Sequence, residues 1–258
     1  MTALVRIDTR TTLRSALLVI VLIGPLLLAA AVRVGYPWLT GYLDARYGVD
    51  LEPFRPVTLA SLVVLHVPLM IGMVGALLVL DDVDDGKVLV LRVSPVTLPR
   101  YLAYRVVSAG LVALILLMVT VPLSGLAALT LPLVPALVLA AAQAPLIMLA
   151  AAAFAGNKVE GLALLKVLGV VPTAIAPAMR WLPAPATWPL RALPPYWAVD
   201  VLWNPTVPGM VLGTALTALA GALLLRRTIG RLSGVRRKRI VPPPTPAASG
   251  RWGRGSGR

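Results

Sequence analysis

The sequence predicts an all-α integral membrane protein with about six transmembrane helices, an N-terminal amphipathic surface helix and both termini in the cytosol. Three observations predict it. Hydrophobic residues make up 59% of the 258 and charged residues 13%. Mean hydropathy is +0.88, and the apolar residues gather in runs of about 20, the length that crosses a bilayer core. These runs are continuous and rich in Leu, Val and Ala, without the alternation of barrel strands, and in lipid only helices or closed barrels satisfy the backbone. Cysteine is absent, which excludes disulfides, thiolate metal sites and cysteine nucleophiles. The formal charge of +14 follows membrane topology rather than a nucleic-acid-binding surface, so no nucleic acid partner is expected.

Residues 1–14 place Arg6, Arg10 and Arg14 at a spacing of four opposite Leu4, Ile7 and Leu13, a segment suited to the inner leaflet. The first span is read at 15–32, longer than the apolar core of about 7 to 15 residues in a signal peptide. Residues 33–56 mix Arg33, Arg46 and Arg55 with Asp44, Asp50 and Glu52, plus Tyr36, Trp38, Tyr42 and Tyr47, the composition of an interfacial outer loop. The second span, 57–80, carries His66 and Pro68 in its outer half. Spans at 106–129 and 133–155 form a hairpin, with Gln143 in the latter. His66 and Gln143 are the candidate translocation-path residues, because polar groups inside a membrane mark function more often than chance; interhelical hydrogen bonding is their ordinary role.

Gly156 to Gly161 returns the chain to the cytosol. The fifth span, 162–179, contains Lys166, Pro172 and Pro177, and the prolines predict a bend or a break. Residues 181–208 are too interrupted by proline to span and are read as an outer interfacial or re-entrant segment rich in Trp and Tyr. The last span is 209–225. The tail, 226–258, is basic and rich in Pro and Gly; it is expected to be disordered past about residue 240 and to lie on anionic lipid.

Summed by side, this layout puts nineteen Lys and Arg inside and only Arg33, Arg46, Arg55, Arg180 and Arg191 outside. The positive-inside rule sets both termini in the cytosol, which requires an even number of spans.

Between spans two and three lie Asp81, Asp82, Val83, Asp84, Asp85, Gly86 and Lys87, then an apolar stretch to Val93, Ser94-Pro95 and Arg100-Tyr101-Leu102. Each carboxylate would cost about 2.5 to 3.5 kcal/mol at a bilayer centre, so the run ends in water. It ends at the negative pole of a helix beside a negative leaflet, and those two penalties predict a cationic partner. A solvated loop is the plainest reading. A divalent-metal transferase built on Asp81 to Asp85 is the alternative, and Asp82-x-x-Asp85-Gly86 begins such a signature. Two further aspartates would complete it, yet no acidic residue occurs between Arg92 and Val159. The third reading is a docking element: Lys87 to Val93 is too short to span, and an amphipathic element there could pass force between a cytosolic domain and spans two and three.

The order Asp85-Gly86, a short apolar stretch, Ser94-Pro95-Val96 and Arg100-Tyr101-Leu102 resembles the cytosolic loop of type-2 ABC export permeases, in particular the fluoroquinolone export permease group. Asn157-Lys158-Val159-Glu160-Gly161 and Pro195-Tyr196-Trp197 are similar to further landmarks of that family. The resemblance implies a six-span permease of a bacterial plasma membrane that exports hydrophobic or amphiphilic cargo, drugs among them. It also implies a second permease subunit, of the same or a sibling chain, and coupling to an ATPase through Asp81, Asp82, Asp84, Asp85, Gly86, Lys87, Ser94, Pro95 and Arg100. No Gly-x-x-x-x-Gly-Lys-Ser/Thr occurs, so ATP is expected on a separate ABC ATPase subunit, and this chain is expected to have no cofactor, metal or catalytic residue of its own. A secondary carrier would need an intramembrane proton relay, for which His66 and Gln143 are a thin basis.

Overall fold

The computed structural model describes residues 16–90 and 97–238. The expected amphipathic segment at 1–14, Ser94, Pro95 and the end of the tail lie outside the described residues. Within them every regular element is helical, and six helical segments are long and apolar enough to cross a membrane: Ile23–Tyr47, Glu52–Asp84, Leu98–Leu123, Leu131–Phe154, Lys158–Trp181 and Val207–Ser233.

The principal helices are α1 (Ala16–Tyr47), α2 (His66–Asp84), α3 (Leu98–Leu123), α4 (Val134–Ala141), α5 (Gln143–Phe154), α6 (Lys158–Trp181), α7 (Pro194–Trp203) and α8 (Val207–Lys238). Packing centres on α2 and α5, with α3, α6 and α8 against them and α1 on the flank. The α2–α5 contact is close because Gly72 faces the Ala144 carbonyl: a Cβ on Gly72 would stand 2.6 Å from that oxygen and 2.8 Å from Ile147 Cβ. Ala76, Ala144 and Ala151 are completely buried in the same layer. Small residues of this kind let helix backbones approach where lipid offers no hydrophobic drive to associate.

Two spans are interrupted near their middles, each for the same reason. The second is assembled from a 3₁₀ turn (Glu52–Phe54), one α turn (Arg55–Thr58), a π-helical turn (Leu59–Val64) and α2. Pro68 has no N–H for the Val64 carbonyl and its ring crowds that turn, so the ladder shifts and the Leu65 N–H bonds to the Ala60 oxygen at 2.9 Å. Pro145 stands in the same relation to Ala141, and the fourth span breaks into α4 and α5 at Ala142.

Three expectations are corrected. Residues 33–47, read as outer loop, continue α1, which closes on Gly48 at φ +63°, a left-handed position that glycine takes without strain. The Tyr36 hydroxyl donates to the Leu51 carbonyl at 2.7 Å, pinning the returning chain beside the helix. Of the bend or break expected in the fifth span, the break is excluded: α6 is one continuous helix through Pro172 and Pro177. Residues 226–238, read as the start of the tail, continue α8. The segment at 181–208 folds into two short helical turns and α7, whose Pro195, Tyr196, Ala198, Val199 and Val201 are buried against α4, α8 and α6.

Candidate functional site

The acidic turn is built where α2 ends. The Asp85 N–H reaches the Asp81 carbonyl at 2.9 Å and the Gly86 N–H that of Val83 at 3.1 Å, and Gly86 turns the chain at φ +70°, where any other L-residue would be strained. A single helical turn, Lys87–Val90, follows.

The cationic partners demanded by four carboxylates at a helix C-terminus are supplied within the chain. Asp82 Oδ2 accepts hydrogen bonds from the Tyr101 hydroxyl and from Arg105 Nη2, the latter at 2.9 Å. The Asp82 and Arg105 side chains are only 16% and 14% exposed, so this pair is largely shielded from screening solvent, unlike a surface salt bridge. Arg105 also lies over the Tyr101 ring at 5.4 Å. Asp81 pairs with Lys158 Nζ at 2.8 Å, and Asp84 Oδ2 accepts the Lys158 backbone N–H at 2.9 Å. A carboxylate of α2 therefore caps the positive end of α6. That end carries its own cap, since Asn157 Oδ1 accepts the Glu160 N–H at 2.9 Å while the Glu160 carboxylate accepts from Gly156 N and from Asn157 Nδ2, a variant of the capping box that reaches the residue before the N-cap.

Lys87 bridges Asp85 at 2.9 Å and Asp82 at 3.2 Å. Asp85 first and then Asp82 hold its ammonium above the usual lysine range through these hydrogen bonds. Asp85 and Lys87 are mostly exposed, as is Arg100 on the first turn of α3. The site thus divides into an inner clamp, Asp81, Asp82 and Asp84, that ties α2 to α3 and α6, and an outer rim of Asp85, Gly86, Lys87 and Arg100. Each inner carboxylate is engaged by a separate cation or N–H, and among the described residues no three His, Cys, Asp or Glu group as a metal site.

A second set of contacts, from α8, joins the end of α5. Arg231 Nη1 donates to the Ala152 carbonyl at 2.9 Å, and the Thr228 hydroxyl lies 3.3 Å from that of Leu149. Arg227 lies 4.2 Å from the centre of the Phe154 ring. Cations at a helix C-terminus are favoured by its dipole and by its unbonded carbonyls. These arginines are structural, a role that reading 226–258 as a tail missed. The sequence also undervalued Arg105, counted only as a topological charge, and Lys158, read as a topological charge and as part of a family landmark but not as a partner of the acidic turn. Tyr101 and Arg105 at i and i+4 share one face of α3, and Asn157-x-x-Glu160 is a helix-start signature; both signals were there to read.

His66 and Gln143 stand at equivalent places, each opening the helix that follows a proline-induced break. Gln143 is buried, and its Nε2 donates to the Leu139 carbonyl at 2.9 Å in the turn preceding the break. His66 is partly buried.

The family model for "Fluoroquinolones export permease protein Rv2686c-like" matches residues 8–229. Two curated relatives, the fluoroquinolones export permease proteins Rv2686c and MT2760 of Mycobacterium tuberculosis strains H37Rv and CDC 1551, are each 35% identical over 202 residues. The matched region covers 77% of this chain and 79% of each relative. No solved structure matches. With six apolar helices and a match spanning nearly all of them, the chain is a multi-pass membrane protein that belongs to the fluoroquinolone export permease family.

Proposed function

We propose that this chain is the permease subunit of an ABC-type exporter, coupled at the Asp81–Lys87 turn to a separate ATPase subunit on the cytosolic face. The observation that carries the coupling role is the inner clamp. Any displacement of the 86–97 segment is transmitted at once to the end of α2, to α3 through Asp82, Tyr101 and Arg105, and to the start of α6 through Asp81, Asp84 and Lys158. Ion pairs and hydrogen bonds of short range make a stiffer linkage than a solvated loop. The exposed rim, Asp85, Lys87 and Arg100, is the docking surface, and Ser94 and Pro95, next in sequence, are assigned to the same coupling role from the family resemblance.

The positive-inside count supports a cytosolic position for this face and both termini, and a basic end of α8 followed by further basic residues suits anionic lipid there. The chain has no phosphate-binding loop of its own, which supports an ATPase partner. A transport path shared by two permeases, identical or sibling chains, follows from the family reading. Its cargo is hydrophobic or amphiphilic. The test is efflux of a fluoroquinolone, the cargo in the relatives' names, from cells expressing this chain with its ATPase. Wild type lowers intracellular drug and Asp82→Asn does not, although it reaches the membrane at the same level. Equal efflux by the two would remove the clamp from the mechanism.

A further inference from the structure

At the end of the bundle away from the acidic turn, a cavity of about 490 Å³ opens between the start of the second span, the α3–α4 connection, α7 and the last turn of α6. Its wall is mostly apolar, with Pro56, Val57, Leu133, Leu202 and Trp203 among its residues, and the lining includes two arginines, Arg55 and Arg180. The wall is fixed in place. Trp203 Nε1 points to the Pro56 carbonyl at 3.4 Å, and Phe54 and Trp181 meet at the edge with ring centres 6.1 Å apart.

The two arginines differ in what they have left to give. Arg55 is committed, with Nη1 to Glu52 at 2.9 Å and Nε and Nη2 to the Leu126 and Gly125 carbonyls at 3.0 and 3.1 Å. Its charge is balanced and its work is to hold the α3–α4 loop. The Arg180 side chain, exposed on the last turn of α6, makes no hydrogen bond or ion pair with any described residue. It projects a full guanidinium charge, with five N–H donors, at an apolar hollow whose volume is that of a small-ligand pocket.

We propose that this cavity is a binding site for an amphiphilic anion: an apolar body in the hollow and a carboxylate, sulfonate or phosphate on Arg180. A planar guanidinium matches such groups bidentately. The source is a diffusible amphiphile rather than a bilayer lipid, because the hollow matches a drug-sized molecule and holds no more than part of a phospholipid. This deepens the exporter reading by naming a cargo class, and it rests on that reading only for the word cargo. Binding itself needs neither ATP nor a partner.

The test is saturable binding of pyrenebutyrate, with pyrenebutanol as the uncharged comparison, to the full chain in phosphatidylcholine nanodiscs. Wild type should bind the acid about tenfold more tightly than the alcohol, and Arg180→Gln should abolish that preference while Arg180→Lys keeps part of it. Leu133→Trp, which fills the hollow, should remove saturable binding of both probes, with unchanged thermal unfolding showing that the bundle is intact. Equal binding by wild type, Arg180→Gln and Leu133→Trp would overturn the site. Loss of saturable binding of both pyrenebutyrate and the uncharged pyrenebutanol, which an anionic surface does not repel, in phosphatidylglycerol nanodiscs would assign the cavity to a lipid headgroup and overturn the diffusible source. A negative result in either form leaves the exporter reading untouched, since efflux is measured separately.

Discussion

Asp82 and Asp85 lie three residues apart and do different work. Asp82 is shared by Tyr101, Arg105 and Lys87 in a largely shielded niche, whereas Asp85 faces water with Lys87. Asp82→Ala should therefore destabilise the solubilised protein by about 2 to 3 kcal/mol, the cost of breaking a buried charged hydrogen-bond set. Asp85→Ala should cost less than about 1 kcal/mol. Thermal unfolding in mild detergent distinguishes them, and equal shifts would mean that the niche carries no special weight. Asp200 on α7 offers a pH test. Burial raises its carboxyl above the ordinary aspartate value, against the opposing pull of Arg191. A folded-state value above the unfolded one means stability is greatest where both states are protonated and falls as pH rises through the folded value. Asp200→Asn should match wild type below about pH 4 and exceed it near neutrality, as read by unfolding across that range. At this scale the sequence foretold a cationic partner for the turn, from helix polarity and leaflet charge. It did not foretell that Lys158, 77 residues away from Asp81, would be that partner, because such a pairing depends on how α6 packs against α2.

Among the helices, the decisive contacts are those that tolerate no added atom. Gly72 rests on the Ala144 carbonyl, and backbone cannot swing aside as a side chain can. Gly72→Leu should part α2 from α5 and cost about 1 to 3 kcal/mol or more. Gly110, whose nearest neighbour would be 4.0 Å from a Cβ, should accept alanine with little loss. Comparison of the two variants by detergent-resistant folding checks this, and equal tolerance would contradict the close approach. Prolines show how far pattern reading reaches. Pro68 and Pro145 each interrupt a helix one turn earlier, whereas Pro172 and Pro177 leave α6 unbroken. Local chemistry is alike in the four cases, so the outcome is decided by packing: the second and fourth spans are deeply buried, while α6 lies at the edge. The extension of α1 to Tyr47 was hidden for a related reason. Its charges and aromatics signal an interface, and a helix leaving the membrane has the same composition as a loop.

Taken whole, the molecule is pinned at one end and hollow at the other. The acidic turn, the start of α6 and the basic stretch of α8 are bound to neighbouring helices by ion pairs and capped termini. The opposite end holds the arginine-lined cavities, one of them bordered by Arg33, Tyr36, Glu52 and Arg55. With 32 residues each, α1 and α8 would extend about 48 Å, well beyond a hydrocarbon core of about 30 Å. Large side chains such as Val167 and Val170 on α6 and Leu219 and Leu223 on α8 are exposed, as expected of helix faces turned to lipid. The layout of six apolar helices was legible because lipid imposes one rule on every span, whereas the clamp and the cavity arise from distant segments brought together by folding.

The measurement that bears most directly on the central claim is co-purification of the tagged chain from native membranes in mild detergent, with identification of what comes with it. Wild type should recover a chain bearing a Gly-x-x-x-x-Gly-Lys-Ser/Thr loop. The Lys87→Glu/Arg100→Glu variant, altered at the exposed rim, should lose it, while Asp82→Asn, altered inside the clamp, should retain it. Wild-type membranes that yield no such ATPase, from a protein that is folded and monodisperse, would contradict the account.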